Sequence, residues 1–418
     1  MTLILPTRSE PLTVDAALRD RAAKVIPGGM YGHMKVSSAT MPPSYPQYYA
    51  RGAGSHLWDV DGNEYIDFMC GFGPQILGYA NAEVDAAASA QQALGEAFTG
   101  PTAQIVELAE LMTETVAHAD WAMFAKNGTD ATAMSVVIAR AATGRSKLLK
   151  ASAAYHGANP WFTPGGAGVT PEDRANIVEF TYNDLASLEA AAATVDGDVA
   201  AIIVPPFKHD AFADQELATQ EFASGVRALA DRIGAALILD EVRTGLRLDQ
   251  AGAWESFGVR PDLTAFSKAI ANGYALAAVT GTGALAEAAS SVYVTGSFWY
   301  SGASMAASRR TITLLQEIDG IGIMETHGTA LREGLAAQAT SYGFELFQTG
   351  PVQMPIIRFA DDAELKTAFA FTDATVRRGV LLHPWHNMFL SAAHTSADIE
   401  AALVATDEAF AEIKRLGL

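Results

Sequence analysis

The sequence predicts an α/β fold: a mostly parallel sheet flanked by helices, plus a smaller α+β lobe. Three observations carry this. Between about residues 100 and 300, short apolar runs alternate with helical periodicity, as in sheets built from strand–helix–strand units. The run Leu237-Ile238-Leu239 stops on a carboxylate, Asp240, and a second strand runs into Ser267-Lys268. At 418 residues the chain also exceeds one ordinary domain. The expected division is an N-terminal segment 1–70 contributing to the small lobe, a large domain 71–310 and a C-terminal small domain 311–418.

A polar, helix-like stretch opens the chain and gives way to Pro27-Gly28-Gly29 and an irregular segment, Pro42-Pro43-Ser44-Tyr45-Pro46. His56 to Phe68 holds two alternating runs around Asp61-Gly62-Asn63, the pattern of a hairpin. Trp121 to Ala125 reads as a strand, Ala131 to Thr143 as a helix and Lys147 to Lys150 as a short strand. Ala200 to Val204 is a strand stopped by Pro205-Pro206. Phe222, Val226, Leu229 and Ile233 line one helix face at spacings of 4, 3 and 4, and Gly234 ends that helix. Ala236 to Leu239 is the next strand. The last hundred or so residues show helical periodicity, strand candidates Phe344–Gln348 and Met354–Phe359, and a closing helix from Ser396 to Leu416. No internal repeat interrupts this order.

Half the residues are apolar and 18% are charged, so a large core is expected, with part of the surface buried in an oligomer. The net charge of −19 argues against nucleic acid and anionic membranes as partners. A single cysteine, Cys70, excludes an internal disulfide framework and fits a reducing compartment. Met1–Pro6 is too short for the apolar core of a leader, and no run of about 18 apolar residues occurs, so a cytoplasmic protein is expected. His383 and His386 lack the glutamate of a zinc helix and the other histidines scatter, so no metal is expected.

Asp240 and Lys268 are the most telling residues. An acid and an amine at the ends of neighbouring strands are what a pyridoxal 5′-phosphate enzyme needs. The amine condenses with the cofactor's aldehyde as a Schiff base, and the acid keeps the pyridine nitrogen protonated. Lys268 sits among Ala265, Phe266, Ala269 and Ile270, where an amine is poorly solvated and its pKa falls. If the chain stays extended, Val242 shares the face of Asp240 and packs under the ring, while Glu241 points away into a structural role. Asn127-Gly128-Thr129-Asp130 opens a helix whose free amides suit a phosphate. Tyr155-His156-Gly157 offers an aromatic face for the ring, with His156 equally suited to facing solvent. Each has an ordinary reading by itself: a helix cap, a surface turn, the start of a loop, a lysine stretched to solvent.

In this order and spacing the motifs resemble the class III aminotransferases of PLP fold type I, nearest the branch of glutamate-1-semialdehyde aminomutase and β-amino acid aminotransferases. The resemblance runs from Ile26-Pro27-Gly28-Gly29 and Gly73-Pro74-Gln75-Ile76-Leu77-Gly78 through Asp240-Glu241-Val242 and Lys268 to Gly296-Ser297-Phe298. It implies a seven-stranded sheet in the large domain. It further implies that Lys268 bonds the cofactor and moves the substrate proton, Asp240 pairs with the pyridine nitrogen, and Tyr155 and Val242 sandwich the ring. Asn127, Gly128 and Thr129 would hold the phosphate, and His156 counts among the cofactor-binding residues. Ser297 stands where the family usually has Thr, which reaches the phosphate of the neighbouring subunit; a homodimer with shared sites follows.

There are departures. The family's Val-Glu-Pro is Val204-Pro205-Pro206, so an acid near the ring is missing. The aminomutase's Asn-Ser-Pro-Val-Arg becomes Tyr31-Gly32-His33-Met34-Lys35, and Arg243 follows Val242 where Met or Gln is common. Lys35, His209 and Arg243 are therefore the candidates for a substrate carboxylate. The expected activity is transfer of an amino group between an amino acid, β- or ω-amino donors included, and a 2-oxo acid, by a ping-pong cycle through pyridoxamine phosphate. An intramolecular aminomutase is the alternative, weakened by the altered 31–35 segment. A non-catalytic binding module of the same fold is the third, opposed by the joint presence of Lys268 and Asp240.

Overall fold

The computed structural model describes residues 7–8, 11–195 and 197–418. Met1–Pro6, the segment weighed above as a leader, lies outside them. The described residues fall into two compact units. One holds 82–210 and 215–321; the other holds the residues up to Asn81, 211–214 and 322–418.

The first unit is built on a seven-stranded sheet of β1 (Trp121–Ala125), β2 (Lys147–Ala151), β3 (Ile177–Phe180), β4 (Val199–Val204), β5 (Ala236–Asp240), β6 (Leu263–Phe266) and β7 (Ala277–Gly281). Its order is β1-β7-β6-β5-β4-β2-β3. Only β7 runs against the rest, pairing antiparallel with both β6 and β1. The sheet is thus mostly parallel, and its five inner strands are buried almost throughout, as parallel sheets covered on both faces require, while the edge strands β1 and β3 are only partly buried.

Side-chain alternation divides two cores between two helices. Along β4, Ile202 and Val204 pack with Phe222, Val226 and Leu229 of α2 (Gln220–Ile233), whereas Ala201 and Ile203 pack with Ala131, Met134 and Ile138 of α1 (Gly128–Thr143). On β5, Leu237 and Leu239 join the α2 side and Ala236 and Ile238 the α1 side. Each such buried Leu or Ile contributes about 1.5–3 kcal/mol, which sets the register firmly. By the same period of two, Asp240 falls on the side of Ile238, toward α1. The caps are as the residues suggest: the Thr219 side chain accepts from the Phe222 amide at the start of α2, and Gly234 closes it in the left-handed region at φ 64°. α1 starts three residues before the periodic run read from sequence, because Asn127 caps it.

In the second unit, Tyr49–Ala53, His56–Asp59 and Glu64–Asp67 form an antiparallel meander that includes the expected hairpin, and Val380–Leu381 adds in parallel to Glu64–Asp67. The hairpin of Leu346–Thr349 with Ile356–Phe359 starts each strand two residues later than expected. Gly343, at φ 84°, ends the preceding helix, and the Phe344 amide bonds back to the Ala339 carbonyl, so the strand cannot begin at Phe344. Phe344 instead joins Phe359 and Phe410 in an aromatic core. Met354 is likewise held in a turn by Pro351. Among the described residues no helix is long and apolar enough to cross a membrane.

Asp398 ties the meander to the helix Ser396–Arg415. Its carboxylate accepts from Ser55 Oγ (2.9 Å), from the Thr395 amide (2.8 Å) and hydroxyl (2.9 Å), and pairs with His56 Nε2 (2.9 Å). Burial opposes the charge, yet these bonds hold the carboxyl well below the usual range. Asp398→Ala is expected to cost about 2–4 kcal/mol in urea unfolding followed by circular dichroism, since it removes a cap and leaves buried donors unmet. A loss under about 0.5 kcal/mol would mean the network is dispensable.

Candidate active site

Parallel pairing of β5 with β6, in register Asp240 opposite Ala265, puts the carboxyl ends of both strands on one edge. Asp240 closes β5, and Lys268 follows β6 by two residues at the head of a 3-10 turn, Lys268–Ala271. Asp240 is buried. Its Oδ1 accepts from the Val242 amide at 3.0 Å, and its Oδ2 lies 2.6 Å from His156 Nδ1. The chain does not stay extended past Asp240. It turns, the Gly245 amide bonding to the Glu241 carbonyl at 2.8 Å, so Val242 reaches the α1 side through a turn and not through strand alternation. Glu241 is buried: Oε1 accepts from the Ala253 amide at 2.9 Å, and burial pushes its carboxyl up to about 8.

His156 is buried, not solvent-facing. Its carbonyl accepts from Thr132 Oγ1 at 2.6 Å, fixing the 155–157 loop to the first turns of α1. Next to it the Ala158 amide donates to Thr129 Oγ1 at 3.0 Å. Two glycines let these segments close up. A Cβ on Gly157, whose φ is 114°, would stand 2.9 Å from Thr129 Oγ1, and one on Gly128 would stand 2.8 Å from Val242 Cγ1. Asn127 spends its side chain on Asp130, accepting from the amide at 3.1 Å and donating to Oδ2 at 2.9 Å. The Gly128 and Thr129 amides stand ahead of it at the open, positive end of a sixteen-residue helix.

Lys268 has φ 44°, in the left-handed region that a lysine enters only under constraint, at about 1 kcal/mol. Burial, then the positive charges of Arg243 and Arg247, push its amine down to about 7, with Asp240 opposing. Burial likewise holds the His209 imidazole well below its ordinary range, with Arg243, His156 and Lys268 adding to the effect. The Arg243 guanidinium is lowered by burial while Asp240, Tyr155 and Asp210 draw it back up, and its Nη1 points to the His209 carbonyl at 3.5 Å. Tyr155 is half-exposed; burial raises its phenol, and it feels Arg243 and Asp240.

The structure therefore brings Asn127, Gly128, Thr129, Tyr155, His156, Asp240, Val242, Arg243, His209 and Lys268 together in one unit. Ser297 is in the same unit, on an exposed loop preceding the helix Gly302–Glu317. Lys35 belongs to the other unit and is exposed, its Nζ 3.4 Å from where a Cβ on Gly28 would be. Arg247, fully buried and acting on Lys268, escaped the sequence reading. Its only signal was a lone cation in Gly245-Leu246-Arg247-Leu248. Where the family acid is missing, the Pro205 and Pro206 carbonyls accept from Tyr182 Oη at 3.2 and 3.0 Å, and Trp254 Nε1 also donates to Pro206 at 2.9 Å. The residues present fit a phosphorylated pyridine aldehyde: a cradle that only glycines permit, a helix N-terminus, a buried carboxylate and a low-pKa amine.

The family model for class III aminotransferases matches residues 38–412. The aminopentol aminotransferase of Sphingopyxis macrogoltabida is 48% identical over 398 residues, 95% of this chain and 94% of that one. The 3-aminobutyryl-CoA aminotransferase of Cloacimonas acidaminovorans is 32% identical, covering 96% of this chain and 97% of its own. Among solved structures, the PLP internal aldimine form of the FumI protein from Sphingopyxis sp. MTA144 superposes with a TM-score of 0.94 at 47% identity, covering 96% of both chains.

Only the neutral amine attacks an aldehyde, so attachment of added PLP to the apoprotein should rise with pH about a midpoint near 7, where Lys268 titrates, and not near 10.5. Stopped-flow absorbance across pH checks this; a midpoint above about 9 would contradict the burial argument. The lowered amine also has a stability sign. Below about 7 the folded apoprotein bears the whole cost of a buried cation, and that cost fades as pH rises toward 10.5.

Proposed function

The chain belongs to the class III aminotransferases, and from that premise we propose how its residues divide the work. PLP, the cofactor of the family, supplies when bound a ring that accepts electrons from a substrate carbanion. Lys268 Nζ holds the cofactor covalently and moves the proton at the donor's reacting carbon. Asp240 keeps the pyridine nitrogen protonated, and His156, 2.6 Å away, fixes the carboxylate. Tyr155 and Val242 flank the ring. Asn127, Gly128 and Thr129 hold the phosphate at the α1 N-terminus. Ser297 serves the neighbouring subunit's site, which makes the cytoplasmic enzyme a homodimer. Arg243 and His209 receive a substrate carboxylate.

The reaction is ping-pong transfer of an amino group to a 2-oxo acid. The observation that carries this reading is the placing of Asp240 and Lys268 on adjoining strand ends with the amine lowered to about 7. The donor belongs among β- and ω-amino compounds, hydroxylated amines included. The names of the two relatives support this, since neither aminopentol nor 3-aminobutyryl-CoA is an α-amino acid.

A donor screen with pyruvate and 2-oxoglutarate tests it by cofactor absorbance and acceptor consumption. Activity is expected to require the acceptor. Turnover without one would identify an aminomutase, and an unchanged spectrum with every amine would leave a binding module. Two variants test the roles. Lys268→Ala should abolish covalent attachment; borohydride reduction and peptide mapping of the parent protein should place the label on Lys268, and a label elsewhere overturns the assignment. Asp240→Asn should keep attachment but lower kcat by roughly 100-fold or more, so near-normal turnover would remove Asp240 from its role.

A further inference from the structure

We propose that Lys150 is a positioning residue for Tyr155, clamping the turn that presents the phenol ring to the cofactor. The inference rests on the reading of Tyr155 as a ring-flanking residue. Lys150 is only 5% exposed, near the end of β2 and opposite Glu179 of β3 and Ile203 of β4. A lysine so buried needs partners. It has three, one for each ammonium hydrogen: the carbonyls of Ala151 (3.0 Å) and Ala154 (3.3 Å) and the carboxylate of Glu179 (2.9 Å).

Those two carbonyls bracket a turn under strain. Ala153 has φ 62°, a conformation alanine avoids, and the Ala154 amide bonds back to the Ala151 carbonyl at 3.2 Å. Tyr155 follows at once. On its far side His156 is held by Asp240 and Thr132. Tyr155 thus sits between two pins, and Lys150 supplies the one the proposed chemistry does not use. A charged clamp buried beneath a strained turn suits a side chain whose place must not drift, more than a turn that merely links two strands.

A double-mutant cycle separates these. The apoproteins of the parent, Lys150→Met, Tyr155→Ala and the double variant are titrated with PLP, recording dissociation constant, visible spectrum and Tm. Lys150→Met is expected to weaken PLP binding roughly tenfold and to shift the spectrum, as loss of a charged hydrogen-bond donor to the turn implies. In the Tyr155→Ala background it should add nothing to either. Ala153→Gly, which relieves the left-handed strain, should recover part of the loss in Lys150→Met. Equal weakening in both backgrounds, or lowered Tm with unchanged binding and spectrum, overturns the proposal. If Tyr155→Ala itself leaves PLP binding and spectrum unchanged, the ring-flanking reading has failed and this one falls with it. Should Lys150→Met not fold, Glu179→Gln takes its place, with a smaller weakening expected that again vanishes beside Tyr155→Ala and whose absence overturns the proposal.

Discussion

The 2.6 Å contact between His156 Nδ1 and Asp240 Oδ2 is the interaction around which the rest of the site is arranged. It joins segments 84 residues apart in sequence, in a place where water does not compete. One side of it is the end of β5, which parallel pairing sets beside the end of β6 and so beside Lys268. The other side is the 155–157 loop, which Thr132 and Thr129 fasten to α1. A carboxylate buried at this depth without polar partners would be costly. The imidazole meets one of its oxygens, and the other accepts from the amide of Val242, whose side chain closes against Gly128. Three loops from three strands are thereby fixed through one pair of side chains.

Much of this was legible because it is one-dimensional. Strand ends, helix caps and glycine turns are local, and β5 and β6 could be read from apolar runs that stop on Asp240 and before Lys268. Gly234 announced its helix end through ordinary capping chemistry, whereas the cap at Asn127 began its helix three residues ahead of the periodic run. Tertiary facts were less so. Nothing local says that His156 turns inward, because the reason lies at Asp240, far along the chain. The turn after Asp240 is set by its own side chain accepting the Val242 amide, which competed with continuing the strand and won. Phe344 looked like the first residue of a strand, but the end of the preceding helix and a phenylalanine-rich core claimed it. Arg247 was hardest to see, since its influence is electrostatic and acts across the turn.

The electrostatics and the strain point the same way. Lys268 is pressed toward neutrality by burial and by two arginines, and its backbone is held in a region that costs energy. Neither feature helps the apoprotein fold. Both persist because Ala269, Ile270 and Ala271 are buried beneath and Ser267 Oγ is bonded to the Leu276 carbonyl at 2.8 Å, which over-determines the turn. Spending stability on a reactive amine is the trade expected where a lysine serves as nucleophile.

The missing acid at Pro205 then has a coherent place. With prolines at 205 and 206, the end of β4 offers only carbonyls, and Tyr182 and Trp254 already occupy these. Asp240 opposes the cations at Lys268, with Asp210 also acting on Arg243, while Glu241 is buried and raised to about 8. A pocket weighted toward cations favours a ligand that brings its own negative charge, as a phosphate ester and a 2-oxo acid both do. The same cations help to lower the lysine amine, with Asp240 opposing. On the proposed assignment of Arg243 to a carboxylate, a donor lacking an α-carboxylate leaves that cation to the acceptor alone.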